Sequence, residues 1–215
     1  RHGISPGDPV GIIMERSEHM VVAVLAVLKT GAAYLPLHVD TPESRIRGML
    51  EDAATRVVIA DAVVCERLSD LPVRWMDAGQ GYEEVASGWE PHLGLPSDLA
   101  YIMFTSGSTG KPKGTLIEQS GVVRLVKGNA FHQVQPGERI LQTGALAFDA
   151  STFEIWGALL NGGCVCLPKG RALLDMEEFG RMVRNWRIDT LFLTTGLFNQ
   201  LVDYSIDSFG GLKTL

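Results

Sequence analysis

Ten consecutive residues, Thr105-Ser106-Gly107-Ser108-Thr109-Gly110-Lys111-Pro112-Lys113-Gly114, hold three glycines, four hydroxyls and two lysines. Glycine allows backbone N–H groups to turn toward a ligand without interference from Cβ. Successive N–H groups in such a loop make an anion-binding concavity. The hydroxyls add rotatable donors, and Lys111 and Lys113 add charge. This is equipment for gripping the phosphates of a nucleotide. The Walker A pattern is not met, because Pro112 follows Lys111 and Thr105 stands where the first glycine belongs. A plain surface loop would share the glycine content. It would not account for the apolar run Leu99 to Phe104 before the loop, the helix expected after it and the basic residues within it.

A second candidate is Asp149, at the end of the mostly apolar stretch Ala145 to Phe148. A carboxylate there is expensive to desolvate unless it meets a cation. The competing reading is a helix cap, with Asp149 or Ser151 starting a helix that contains Phe153 to Leu160. Trp156, Leu159 and Leu160 read as the core face of that helix. The five histidines show no i, i+4 ligand spacing. Cys164 and Cys166 share one face of an expected strand. With Cys65 they are too few and too isolated for a metal site, and read as buried reduced thiols of a cytoplasmic protein.

These residues need a frame. Ser17 caps an expected helix with apolar positions Met20, Val21, Val24, Leu25 and Leu28, stopped by Gly31. Ala32 to Val39 reads as extended. Thr41-Pro42-Glu43 reads as a helix start, with a capping hydroxyl, proline at the first helical position and an acid in the first turn. Ile46, Met49, Leu50 and Ala53 form that helix's buried stripe. Val57 to Ala60 and Leu99 to Phe104 read as buried strands, and Ala78 to Asp98 as a connecting loop. After a helix around Ser120 to Lys127, the pattern alternates: strand Arg139 to Thr143, helix Thr152 to Leu160, strand Cys164 to Leu167, helix Met176 to Trp186, strand Thr190 to Thr194, helix Leu197 to Tyr204. The fold class is α/β, with parallel-rich sheets flanked by helices.

The bulk numbers agree. An apolar fraction of 46% and a charged fraction of 20% suit a globular domain with an ordinary core. The net charge of −6 and the lack of a basic cluster argue against nucleic acid. The longest apolar run, Met20 to Leu28, is well short of the roughly 20 residues that span a bilayer.

Leu99-Ala100-Tyr101-Ile102-Met103-Phe104 followed by TSGSTGKPKG resembles the phosphate-loop signature of the adenylate-forming superfamily, which contains peptide-synthetase adenylation domains, acyl-CoA synthetases and luciferases. Leu28-Lys29-Thr30-Gly31-Ala32-Ala33-Tyr34-Leu35-Pro36-Leu37 resembles the peptide-synthetase motif LKAGxAYVPID, and Phe148-Asp149-Ala150-Ser151 resembles the FDxS motif of their amino-acid pocket. The resemblance covers essentially the whole chain. It implies a partial adenylation domain over residues 1–215, part of the large N-terminal domain of that fold. It also implies activation of an amino acid by ATP with Mg2+ as an aminoacyl-adenylate, and transfer to the phosphopantetheine of a carrier domain in nonribosomal peptide synthesis.

Residue by residue, the resemblance assigns ATP phosphates to Thr105, Ser106, Gly107, Ser108, Thr109 and Gly110, with Lys113 ordering the loop or meeting phosphate transiently. It assigns the substrate's ammonium group to Asp149, its carboxylate neighbourhood to Phe148, and pocket walls to Ala150, Phe153 and Phe192. Core packing competes for Phe153 and Phe192. An apolar substrate, branched aliphatic such as Val or Ile, suits these residues. Tyr34 and Pro36 take structural roles. Both chain ends read as cut from a longer polypeptide. The catalytic lysine, the Mg2+-associated glutamate and the ribose-binding aspartate are expected beyond Leu215, so the fragment alone is expected to be inactive. The rival readings are an acyl- or aryl-CoA ligase and a non-catalytic nucleotide-binding module. Peptidyl carrier and condensation domains are the implied partners.

Overall fold

The continuous apolar runs fold as the inner strands of two sheets, one in each of two compact units, Arg1–Gly121 and Val122–Leu215. This computed structural model describes residues 3–80, 90–105, 111–170 and 172–215.

In the first unit the sheet contains β1 (Pro9–Ile13), β2 (Ala33–Pro36), β3 (Val57–Ala60), β4 (Arg74–Asp77), β5 (Leu99–Thr105) and β6 (Lys113–Glu118). Their order is β4-β3-β1-β2-β5-β6. The first five are parallel, and β6 pairs antiparallel with β5. The helix α1 (Glu18–Lys29) links β1 to β2, and Ser17 caps it by accepting from the Met20 N–H at 3.2 Å. Its buried stripe is Met20, Ala23, Val24 and Val27, and Leu25 is exposed. The buried face is thus rotated from the expected one. Nearly every position from Met20 to Leu28 is apolar, so periodicity alone does not select a face. Gly31 ends the connection at φ +81°, and a Cβ there would lie 2.7 Å from the His92 ring.

The helix α2 (Glu43–Asp52) begins one residue later than expected. Pro42 is its cap, and its carbonyl accepts from the N–H groups of Arg45 and Ile46; no side chain caps this end, Thr41 included. Ile46, Met49 and Leu50 enter the core with Ile13, Leu35, Val58 and Leu68, and Ala53 packs at its margin.

Four further elements depart from expectation, the first of them β1, since no strand is expected before the Ser17 cap. The short helix α3 (Ala62–Arg67) and β4 have no counterpart in the sequence pattern. β4 is half-buried and reads Arg-Trp-Met-Asp, which has no apolar run. More consequential is β6, which replaces the continuation of the loop toward a helix. Its residues are almost all exposed, as an outer strand permits, so hydrophobic patterning does not mark it.

From α4 (Gln119–Val126) the chain enters the second unit. There β7 (Arg139–Leu141), β8 (Cys164–Cys166) and β9 (Thr190–Leu191) form a parallel sheet of order β8-β7-β9. The helices α5 (Ala150–Leu160), α6 (Met176–Asn185) and α7 (Thr195–Ser205) accompany it. Phe179, Met182, Val183, Ile188, Leu191 and Leu201 pack with Leu141 as its core. Asp175 caps α6 through the N–H groups of Glu177 and Glu178, both at 3.0 Å. Gly163 permits the return from α5 to β8, since a Cβ there would meet the Glu138 carbonyl at 2.7 Å. Trp156 is buried in α5 as expected, whereas Leu159 and Leu160 are exposed at its last turn. Cys166 is buried, Cys164 exposed and Cys65 half-buried, so the expectation of buried thiols holds for Cys166 alone. Burial, and then the neighbouring Cys164, push the Cys166 thiol up to about 11.

Among the described residues no helix is long and apolar enough to cross a membrane.

Candidate functional site

Each unit presents one candidate loop, and each loop leaves the carboxyl end of a parallel strand, where α/β sheets bind ligands.

In the first unit the loop follows β5. Tyr101, near the start of that strand, stands opposite Tyr34 of β2, and the two rings stack with centroids 5.1 Å apart. Tyr34 thus secures the strand that leads to the loop, which is the structural role its motif implied. Thr105 is exposed at the end of β5 and pairs across the hairpin with Lys113. Lys113 therefore belongs to β6, not to the loop proper. Gly114 sits beside Ile102, where a Cβ would lie 3.2 Å from its side chain. Lys111 reaches across to Asp52 at the end of α2, Nζ to Oδ1 3.0 Å. Ser106, Gly107, Ser108, Thr109 and Gly110 lie outside the described residues.

The second unit holds the residues assigned to the acid pocket. β7 and β9 are neighbours, with Leu141 opposite Leu191. The chain leaving β7 carries Phe148 and Asp149, and the chain leaving β9 carries Phe192. Parallel register delivers both segments to one edge of the sheet. A hydrogen bond joins them, from the Thr143 hydroxyl to the Phe192 carbonyl at 2.8 Å.

The segment 142–149 is held by side chains of its own unit. The Gln142 amide, fully buried, donates to the Gly144 carbonyl. Glu154, fully buried on α5, accepts from the Thr143 N–H at 2.9 Å, the Thr143 hydroxyl at 2.7 Å and the Gly144 N–H at 3.2 Å. The Ser151 hydroxyl turns back to the Phe148 carbonyl at 2.6 Å and the Leu146 carbonyl at 3.1 Å.

Asp149 stands at the cap position of α5, yet its side chain makes no capping bond. Its backbone is helical, φ −59° and ψ −32°, whereas a capping side chain needs an extended residue. Ser151 does not cap either, because its hydroxyl is engaged with the preceding turn. Asp149 is exposed. Phe148 is exposed at 61%, Ala150 is half-buried and Phe192 is exposed at 47%. Phe153 is different: it is buried, with the rings of Phe131 and His132 at 5.4 Å and 6.4 Å. The structure therefore leaves Phe148, Asp149 and Ala150 on the chain beyond β7 and Phe192 on the chain beyond β9, and places Phe153 in the packing of α5.

Glu154, Thr143 and Gln142 were not singled out by sequence reasoning. A usable signal was present: Glu154 is the one charged residue in the mostly apolar helix Ala150–Leu160. A second buried carboxylate, Glu138, lies on the same sheet. It meets His132 Nε2 at 2.5 Å, the Gln135 N–H at 2.8 Å and the Thr190 hydroxyl. Burial opposes its ionisation, but these partners together outweigh that cost and hold its pKa below the ordinary glutamate value. His132 Nδ1 also faces the Thr214 hydroxyl at 3.0 Å, which ties residue 214 to its bridge with Thr190.

Two parallel-rich sheets flanked by helices, one in each unit, define a mixed α/β class. The family model for AMP-binding enzymes matches residues 1–215, and the chain belongs to that family. It is 44% identical over 215 residues to surfactin synthase subunit 2 of Bacillus subtilis (strain 168), covering 100% of this chain and 6% of the synthase. The nonribosomal peptide synthetase FmoA3, in its α-methyl-L-serine-AMP bound form, superposes with a TM-score of 0.84 at 30% identity, covering 94% of this chain and 22% of that one. NpsA-ThdA, an artificially fused adenylation–PCP di-domain from Klebsiella oxytoca, gives 0.84 at 32% identity, covering 96% and 41%. The fold is that of the adenylation domains in these structures.

Proposed function

We propose that the protein carrying this chain activates an α-amino acid with ATP and passes the aminoacyl group to a carrier-bound phosphopantetheine thiol in nonribosomal peptide synthesis. The observation that carries this reading is Asp149: an exposed carboxylate on the chain that leaves the carboxyl end of a parallel strand, unused by the helix it begins. An α-ammonium group is the cation such a carboxylate takes, and bringing it there desolvates the pair and strengthens it. The α-methyl-L-serine-AMP bound to FmoA3 is an adenylate of the kind this reading requires.

On this reading Thr105 and residues 106–110 hold the ATP phosphates, and Lys113 orders the loop from its strand. The substrate's carboxylate oxygen attacks the α-phosphorus, and pyrophosphate leaves. The chain's contribution is to place reactants and stabilise charge. Mg2+ would shield the charge of the bound triphosphate. Residues 1–215 then form part of the large domain of a longer adenylation domain, whose catalytic lysine lies on its small domain. Carrier and condensation domains are the partners, and the cytoplasm, which supplies ATP and amino acids, is the compartment.

The test is ATP–pyrophosphate exchange on the complete protein, with a panel of amino acids beside aryl and fatty acids. The expected result is exchange stimulated by one or a few aliphatic amino acids. Stimulation only by acids without an ammonium group would remove Asp149 from its proposed role and favour the CoA-ligase reading. Exchange with none of them would favour a non-catalytic module.

A further inference from the structure

We infer that Glu154 and Thr143 form a positioning pair that locks the Asp149 segment and the Phe192 segment into one register, and so set the affinity for the amino acid without acting on ATP. This rests on the amino-acid reading of Asp149.

The inference follows from where the protons go. Glu154 Oε1 is met by the Thr143 N–H at 2.9 Å, the Gly144 N–H at 3.2 Å and the Thr143 hydroxyl at 2.7 Å. Oε2 also faces the Gly144 N–H at 3.2 Å. The carboxylate thereby receives both backbone donors of the turn that leaves β7. The Thr143 hydroxyl carries a single proton and faces two acceptors, Glu154 Oε1 and the Phe192 carbonyl at 2.8 Å. Shared as a three-centre bond between these two acceptors, that one proton links a buried helix, the segment that leads to Asp149 and the segment beyond β9.

A carboxylate that served only to satisfy the turn would need no such bridge to β9. Glu154 is fully buried within a helix whose neighbouring positions are apolar, a costly place for an acid unless its oxygens are occupied. Both oxygens are occupied by groups of the Thr143–Gly144 turn. Asp149 is exposed and makes no capping bond, so its position depends on how the segment before it is held. Catalytic and binding groups lose much of their effect when displaced by about 1 Å. Neither Glu154 nor Thr143 touches the substrate in this scheme; both act through Asp149 and Phe192.

The experiment measures pyrophosphate exchange on the complete protein with Thr143→Val, Thr143→Ser and Glu154→Gln. Valine keeps the shape of threonine and removes the bridging hydroxyl. The expected result for Thr143→Val is a KM for the amino acid raised about tenfold, the worth of one such hydrogen bond, with the KM for ATP within about twofold of the parent. Thr143→Ser restores the amino-acid KM, because it returns the hydroxyl. A clamp that merely stabilises the fold would lower active protein or raise both KM values together, and that result overturns the inference. An unchanged amino-acid KM in Thr143→Val also overturns it while leaving the function of Asp149 standing. If Thr143→Val does not fold, Glu154→Gln carries the test with the same two readings. It keeps one acceptor oxygen and sets an NH2 group against the Gly144 N–H. Absence of amino-acid-dependent exchange in the parent protein overturns both the inference and the reading beneath it.

Discussion

The loop after β5 and the segment after β7 occupy equivalent places, each beyond the carboxyl end of a parallel strand, but they are held by different means. The first is pinned at its ends. Thr105 and Lys113 pair across a hairpin, and Lys111 adds an exposed ion pair to Asp52. The second is pinned along its length by buried side chains: Gln142 and Glu154 near its start, Ser151 behind its end. The difference suits the chemistry proposed for each. A phosphate grip made of backbone N–H groups and hydroxyls can be built from local sequence. A single carboxylate that must meet one ammonium group needs a rigid support from elsewhere in the fold.

The largest effect expected is on Asp149→Ala. Truncating one member of a desolvated charge pair costs about 2–5 kcal/mol. The kcat/KM for the amino acid should therefore fall at least about thirtyfold in pyrophosphate exchange, with the KM for ATP nearly constant. Stability should be almost untouched, because the carboxylate caps nothing. A comparable rise in the KM for ATP would break the division of labour between the two loops.

Glu154→Ala should show the reverse pattern in stability. It leaves the half-buried Thr143 and Gly144 N–H groups without their carboxylate. The cost is about 1–3 kcal/mol for each donor that stays unsatisfied. Urea unfolding of the complete protein measures this, with Lys113→Ala as the matched change beside the other loop. Lys113 is exposed on an outer strand. Its loss should therefore stay within about 0.5 kcal/mol, as for most surface substitutions. Equal losses would mean the two loops are held alike.

This contrast explains what was legible in the sequence. The loop proposed to hold phosphate announces itself in ten residues, because the proposed function lies in its own glycines, hydroxyls and lysines. The strands β3 and β5 and most helices follow from apolar runs and from caps such as Ser17; the parallel strand β4, which has no apolar run, does not. β6 did not, since an exposed outer strand needs no hydrophobic pattern. The support of the acid segment was also illegible. Thr143 meets Glu154 and the Phe192 carbonyl only after β7, α5 and β9 have packed, so no local window contains the constellation. The exposure of Asp149 was illegible for a related reason: position in an apolar stretch does not report exposure, which the surrounding fold decides.

A subtler difference concerns acid. Glu138 in the second unit is held ionised by Gln135, Thr190 and His132 against the cost of burial, and its pKa is depressed. A depressed carboxylate contributes stability above its unfolded pKa of about 4.3, and that contribution disappears as pH falls through the folded value. Asp98 in the first unit is also depressed, chiefly by the Leu95 N–H, but it is only half-buried and its link to stability is weaker. Urea midpoints below about pH 4.3 should therefore fall more steeply in the parent than in Glu138→Gln, which removes the titrating group. Identical slopes would show that the second unit's buried carboxylate contributes nothing to acid sensitivity.

The smallest effect expected is on Lys111→Ala, and it sharpens the comparison most closely. The Lys111–Asp52 pair is exposed on the lysine side at 72%. Such pairs contribute about 0–1 kcal/mol and are screened by salt. Unfolding should shift by no more than this, and less at high ionic strength. The informative number is the KM for ATP. If the loop is pinned only at its ends, Lys111 is a tether to α2, and its removal leaves the KM within about twofold. A rise of about tenfold or more would mean that Lys111 leaves Asp52 for a phosphate oxygen when ATP binds, since a hydrogen bond to a charged group contributes about 1.5–3 kcal/mol. Asp52→Ala separates the two cases. It frees Lys111 without removing it, so a tether predicts the same small change as Lys111→Ala, whereas a phosphate ligand predicts tighter ATP binding.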